Sequence, residues 1–290
     1  MRYKKVILLA VCLLAVLPAV LLLPPQAVPV IAENPKTELS VFVPVIMYHA
    51  VIDNPNRIGD FIITPQAFEN DMEYLANNGY TTVFPSEIID FAESGKPLPP
   101  NPVLITFDDG HYGLLRCILP ILEERSLKAN VNIEGAYTEQ STIEDDHNPA
   151  YSYLTWEEIR LLHNSGRFEI GNHTYGMHSL TGLRKGCRKN PGESLAAYEK
   201  ALADDVGKLQ SILAGTTGVM PRTFAYPFGY VSDESIPVLR SMGLKLLMTC
   251  YEKPNYVSVN DELPLILHRY NRPGNMSTEK FMARVLTRDN

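Results

Sequence analysis

Short apolar runs and stretches of helical periodicity take turns along most of this chain. Val43–Met47, Tyr80–Phe84, Val103–Phe107, Ala129–Ile133, Phe168–Ile170, Thr223–Ala225, Leu244–Thr249 and Leu265–Leu267 are runs rich in apolar and β-branched residues. Such runs read as strands buried on both faces. Between them, Pro65–Asn78, Ser86–Glu93, Leu114–Arg125, Trp156–Asn164, Ser194–Leu213, Ser235–Ser241 and Thr278–Leu286 have helical spacing. Phe68, Met72 and Leu75 make one stripe that Gly79 ends, and Thr155 stands as an N-cap with Glu157 and Glu158 in the first turn, where the helix dipole favours acid. Glu134–Tyr153 reads as a long polar excursion, and no internal repeat is evident. Repeated strand–helix alternation predicts an α/β barrel, whose site should lie at the C-terminal strand ends.

Chemistry-bearing residues recur at those ends. Val45–Tyr48 is followed by His49, Val103–Phe107 by Asp108-Asp109-Gly110, Phe168–Ile170 by Asn172, His173 and His178, Phe224-Ala225 by Tyr226-Pro227-Phe228, and Leu265–Leu267 by His268. Two adjacent carboxylates at a buried strand tip repel one another and lose solvation, so a cation or a proton should neutralise one of them; Asp-Gly is also ordinary turn chemistry. His173 and His178 are five positions apart, which on a regular helix would put the rings on different faces. Joint metal binding therefore requires a loop, which Gly176 would permit. One carboxylate and two neutral imidazoles leave an open coordination position, as catalytic zinc needs.

At the N-terminus, Arg2, Lys4 and Lys5 precede an apolar run from Val6 to Leu23. That pattern predicts a signal peptide or membrane anchor over 1–32, a linker over 33–40, and a folded body over 41–290 placed outside the cytoplasm. The formal net charge is -7 despite those three N-terminal cations, so the body is acidic and unsuited to nucleic acid. Of the four cysteines, only Cys117, Cys187 and Cys250 lie beyond the leader, which allows one bridge and requires none.

Thr106-Phe107-Asp108-Asp109-Gly110 together with His173-Thr174-Tyr175-Gly176-Met177-His178 resembles the polysaccharide deacetylase family, the NodB-homology or carbohydrate esterase family 4 domain. Val45–His49 and Phe224–Gly229 extend the likeness over most of 43–286. The resemblance implies a distorted (β/α) barrel of about seven strands, a divalent metal, usually zinc with cobalt as a substitute, and removal of N-acetyl groups from an N-acetylglucosamine polymer. By position, Asp108 becomes the general base, Asp109, His173 and His178 the metal ligands, and the Phe228 backbone with Tyr226 the oxyanion and substrate contacts. The wider histidine spacing is that of the exported poly-N-acetylglucosamine deacetylase branch, where the acid histidine comes from an N-terminal Tyr-His motif. His49 is therefore expected as the acid, with His268, in a late Leu-x-His motif, second. Ala225 stands where many members carry an arginine that pairs with the base, so Asp108 is expected either to be tuned differently or to be tuned by another cation such as Arg269. The polymer could be peptidoglycan, poly-N-acetylglucosamine or chitin fragments; an O-acetyl esterase and a non-catalytic glycan-binding protein are the alternatives. His111, after Gly110, reads as a loop residue or as an edge of the site, His147 and His163 as solvated, Trp156 and Tyr153 as packing or sugar-stacking aromatics, and the basic loop Arg184–Lys189 as solvated surface or a contact for anionic wall polymers.

Overall fold

The computed structural model describes residues 40–288. The expected leader over 1–32 and nearly all of the linker lie outside the described residues. No helix among the described residues is long and apolar enough to cross a membrane.

The strands are β1 (Val41–Phe42), β2 (Val45–Tyr48), β3 (Ala50–Val51), β4 (Ile62–Ile63), β5 (Thr81–Thr82), β6 (Pro102–Phe107), β7 (Ala129–Ile133), β8 (Phe168–Asn172), β9 (Thr223–Ala225), β10 (Leu246–Thr249), β11 (Tyr256–Val257), β12 (Leu265–His268) and β13 (Tyr270–Asn271). The helices are α1 (Pro65–Asn77), α2 (Pro85–Ser94), α3 (Leu119–Glu124), α4 (Gly135–Glu144), α5 (Trp156–Asn164), α6 (Leu195–Thr217), α7 (Ser235–Ser241) and α8 (Thr278–Val285). One parallel sheet runs in the order β12-β10-β9-β8-β7-β6-β2-β13, with β5 beside β6. Its two ends belong to one segment. β12 pairs with β10 through Thr249↔His268, and β13 pairs with β2 through Tyr270↔Ile46, with Arg269 alone between them. The segment 265–271 thus closes the sheet into the expected distorted barrel. Asn255 stitches the gap: its side chain accepts the His268 N–H at 2.7 Å and donates to the carbonyls of His268 and Val43 at 2.8 and 3.2 Å.

Period-two alternation sorts the strand residues. Ile46, Tyr48, Ile105, Phe107 and Val131 pack outward in one cluster that includes Phe68, Met72 and Leu75 of α1. Phe224, Tyr226 and Leu247 pack outward with residues of α6 and α7. Val45, Leu104, Ala225, Met248 and Leu267 share a separate cluster with residues of α2. Towards the C-terminal strand ends the barrel interior turns polar: Thr106, Asn130, Asn132 and Arg269 are fully buried.

Two departures from the sequence pattern have local causes. The polar excursion contains α4, capped by the Glu134 side chain, which accepts the Tyr137 N–H; its buried positions are Gly135, Thr138 and Ser141, so it shows no apolar stripe. The expected helix over Leu114–Arg125 begins with a wider turn over Leu114–Ile118 before α3, where Pro120 stands in the first turn. The start of α5 follows the sequence: Thr155 and Glu158 form a reciprocal capping box.

Candidate active site

The tip of β6 delivers both carboxylates, and backbone conformation separates them. Asp108 continues the strand and donates its N–H to the Tyr48 carbonyl at 3.0 Å. Asp109 and Gly110 then adopt left-handed backbone, with φ of 70° and 77°. That costs Asp109 about 1–3 kcal/mol. Gly110 has a packing reason as well, since a Cβ there would stand 3.0 Å from the Ile133 side chain.

Asp108 sits inside the barrel mouth, 2 % exposed. Arg269 grips it with two parallel bonds, Nη1 to Oδ1 and Nη2 to Oδ2, each 2.7 Å. The Asn132 amide donates a further bond to Oδ1 at 2.8 Å. Burial alone would raise the Asp108 pKa, but the Arg269 guanidinium, aided by His173, outweighs it and holds the group well below the usual carboxylate range. Oδ1 is saturated by two donors; Oδ2 keeps capacity and lies 4.0 Å from His173 Nε2. The cation expected near Asp108 in place of an arginine at 225 is therefore Arg269, supplied by the closing segment.

Asp109 is the opposite case. Burial and the neighbouring Asp108 charge push its pKa up to about 7. Its Oδ1 is buried without a hydrogen-bond partner and faces His173 Nε2 at 3.6 Å and His178 Nε2 at 3.4 Å. His173 Nδ1 donates to the Ala225 carbonyl at 2.8 Å, which leaves the Nε2 lone pair free to point at Asp109. Burial holds His173 neutral, its pKa lowered to about 3, and lowers that of His178. An orphaned carboxylate oxygen and two neutral imidazole nitrogens, all within 4.8 Å of one another, are a fitting donor set for a divalent cation.

The two candidate acid histidines lie in different surroundings. His49 follows β2 and its ring packs edge-on against Phe61 at 4.8 Å. Its Nδ1 is buried without a partner. Burial lowers its pKa to about 4, opposed by Asp108 and aided by Arg269 and His178, so it shares the charges of the carboxylate cluster. His268 Nδ1 is instead engaged by the Thr249 hydroxyl at 2.8 Å, and beyond burial the charge acting on it is Lys253.

Phe228 borders the site, with φ of 57° and its ring 4.4 Å from that of His178. Tyr226 requires a correction. Its side chain points outward, 1 % exposed, and its hydroxyl is bonded to Ser235 Oγ at 2.7 Å. Alternation puts Ala225 inside and Tyr226 outside, so Tyr226 supports the strand rather than meeting substrate. His111 stands beside the cluster, with Nε2 3.9 Å from Asp109 Oδ2. Its ring stacks on Tyr153 at 4.6 Å, and Tyr153 on Tyr137 at 4.6 Å. Trp156 donates its indole N–H to Glu139. Asn132 carried no sequence signal, because only the sheet brings β7 beside β6. Cys117, Cys187 and Cys250 are free.

Residues 95–247, more than half of the chain, match the family described as polysaccharide deacetylase. Poly-β-1,6-N-acetyl-D-glucosamine N-deacetylase of Staphylococcus aureus (strain MRSA252) is 24 % identical over 283 residues, covering 92 % of this chain and 93 % of the relative. The enzyme of the same name from Escherichia coli (strain K12) is 25 % identical over 260 residues, 83 % of this chain, which spans only 38 % of that longer protein. Among solved structures, IcaB from Ammonifex degensii superposes with a TM-score of 0.68 at 25 % identity, over 85 % of this chain and 97 % of that one. The likeness covers the strand tips that carry both carboxylates and both histidines, and with it the chain belongs to the polysaccharide deacetylase family.

Proposed function

We propose that this chain removes N-acetyl groups from an N-acetylglucosamine polymer outside the cytoplasm, poly-β-1,6-N-acetylglucosamine or peptidoglycan. Residues 41–290 would act as one catalytic body behind an N-terminal signal or anchor over 1–32. The observation that carries this reading is the division between the two carboxylates: Asp108 is held ionised, its Oδ2 taking a single bond where Oδ1 takes two, while Asp109 converges with two neutral imidazoles. The family is divalent-metal dependent, and Asp109, His173 and His178 are the residues that would hold the ion, zinc by ligand type with cobalt as a substitute. A cation there would polarise the acetamide carbonyl and lower the pKa of a bound water.

Asp108 accepts the proton of the attacking water through Oδ2, because Oδ1 already takes bonds from Arg269 and Asn132. The Phe228 backbone N–H is assigned to the developing oxyanion. An amide nitrogen leaves poorly as an anion, so a proton must reach it as the C–N bond breaks. His49 is assigned that delivery: burial holds it neutral, its pKa lowered to about 4, so the proton it gives the leaving nitrogen is the one Asp108 takes from the water and passes on. Acetate release from N-acetylglucosamine oligomers with added zinc tests the reading. The wild type should release acetate, and Asp108→Asn should keep its metal and lose turnover. Release from O-acetylated xylan alone would move the assignment to an esterase, and metal binding without any release to a glycan-binding protein.

A further inference from the structure

His173 and His178 are separated by one residue more than a helical i, i+4 pair, and the segment between them is neither helix nor strand. Regular backbone geometry therefore does not set the distance between the two rings. Nor does a glycine: Gly176 is absent from the residues with positive φ, whereas Thr174 has φ of 74°, its N–H donating to the Asn172 side chain at 2.9 Å. After Thr174 the chain needs partners for the next two N–H groups. One carboxylate takes both. Asp205, in the middle of α6, accepts the N–H of Tyr175 at 2.8 Å and of Gly176 at 2.9 Å. On the other side, the carbonyls of Thr174 and Tyr175 accept N–H bonds from Gly135 and Ala136 at 3.0 and 2.7 Å. Lys208, nearly one turn along α6, has Nζ 3.3 Å from the centroid of the Tyr175 ring.

We infer that Asp205 is a positioning residue for the metal centre: its carboxylate clamps the backbone at 175–176 and so fixes where His178 Nε2 stands relative to His173 and Asp109. This rests on reading Asp109, His173 and His178 as the metal ligands. The two histidines are oriented by different means. The His173 ring is held directly by the Ala225 carbonyl, while the His178 ring takes its place from its loop and from packing against Phe228. The two loop N–H groups that the Asp205 carboxylate accepts make a charge-assisted restraint on that loop from a residue outside the ligand set. Side chains acting at one remove in this way typically change metal affinity by about 10–100-fold.

The test is zinc affinity of the full chain, measured by competition with a chromogenic chelator, for wild type, Asp205→Asn, Asp205→Ala and Asp109→Ala. Thermal unfolding of each metal-free protein runs alongside. Asp204→Asn is the control, since Asp204 is exposed and paired only with Lys200. Asp205→Ala should weaken zinc binding by about 10–100-fold, Asp205→Asn less because its carbonyl keeps one N–H bond, and Asp204→Asn not at all. Turnover at saturating zinc should recover most of the wild-type value in both Asp205 variants. If Asp205→Ala does not fold, the near-isosteric Asp205→Asn still reads the effect. Full zinc affinity in the Asp205 variants, with binding lost in Asp109→Ala, overturns the clamp alone. Equal binding by wild type and Asp109→Ala overturns the ligand assignment and the clamp together.

Discussion

His49 and His268 look alike along the chain: each follows a short apolar strand, and each would end at the C-terminal mouth of the barrel. Their surroundings differ. His49 has an unpartnered buried nitrogen and feels the charges of Asp108, Arg269 and His178. His268 is bonded through its ring to Thr249 and through its backbone to Asn255, and it serves the seam that closes the barrel. The neighbour, Arg269, is the residue of that segment that enters the site. Equivalent motifs at equivalent strand tips thus meet different surroundings, and on the proposed reading only His49, with a ring nitrogen left free, serves the chemistry.

The sharpest way to break this contrast is to truncate both. His49→Ala should lower kcat for acetate release by about 10²–10⁴-fold, the range for a lost general acid. His268→Ala should leave it within about twofold, as for substitutions away from the chemistry. The reverse ranking would exchange the two roles. A second, smaller effect sharpens the contrast within the closing segment. Arg269→Met leaves Asp108 as an uncompensated buried charge and should destabilise the metal-free protein by about 3–5 kcal/mol in urea unfolding. Adding Asp108→Asn should restore part of that loss; no recovery would mean that Arg269 matters through packing rather than charge.

The smallest effect concerns pH. Burial and the Asp108 charge raise the Asp109 pKa to about 7, so below that value a proton competes with the metal for its carboxylate. His173, lowered to about 3, remains neutral and does not compete. Zinc affinity should therefore fall by about tenfold per pH unit below pH 7 and level off above it. A decline two or three times steeper would mean that the histidines also hold protons, contrary to their burial.

The strand–helix alternation, the polar residues at the strand tips and the capping of α5 were legible in the chain because they are local. Burial on two faces, helical spacing and a Thr-x-x-Glu box each need only a few consecutive residues. α4 was not legible, since Gly135, Thr138 and Ser141 bury no apolar stripe. Nor was the outward direction of Tyr226, which depends on where strand alternation starts. Local pattern alone thus determined the kind of fold, the end of the barrel that carries the chemistry, and a short set of candidate side chains. Tertiary structure decided which candidates meet. Arg269 reaches Asp108 across 161 positions, Asp205 holds Tyr175 across 30, and Asn132 reaches Asp108 from the neighbouring strand. Those contacts depend on strand order and on closure of the barrel, and a carboxylate's charge state depends on the partners that closure brings to it.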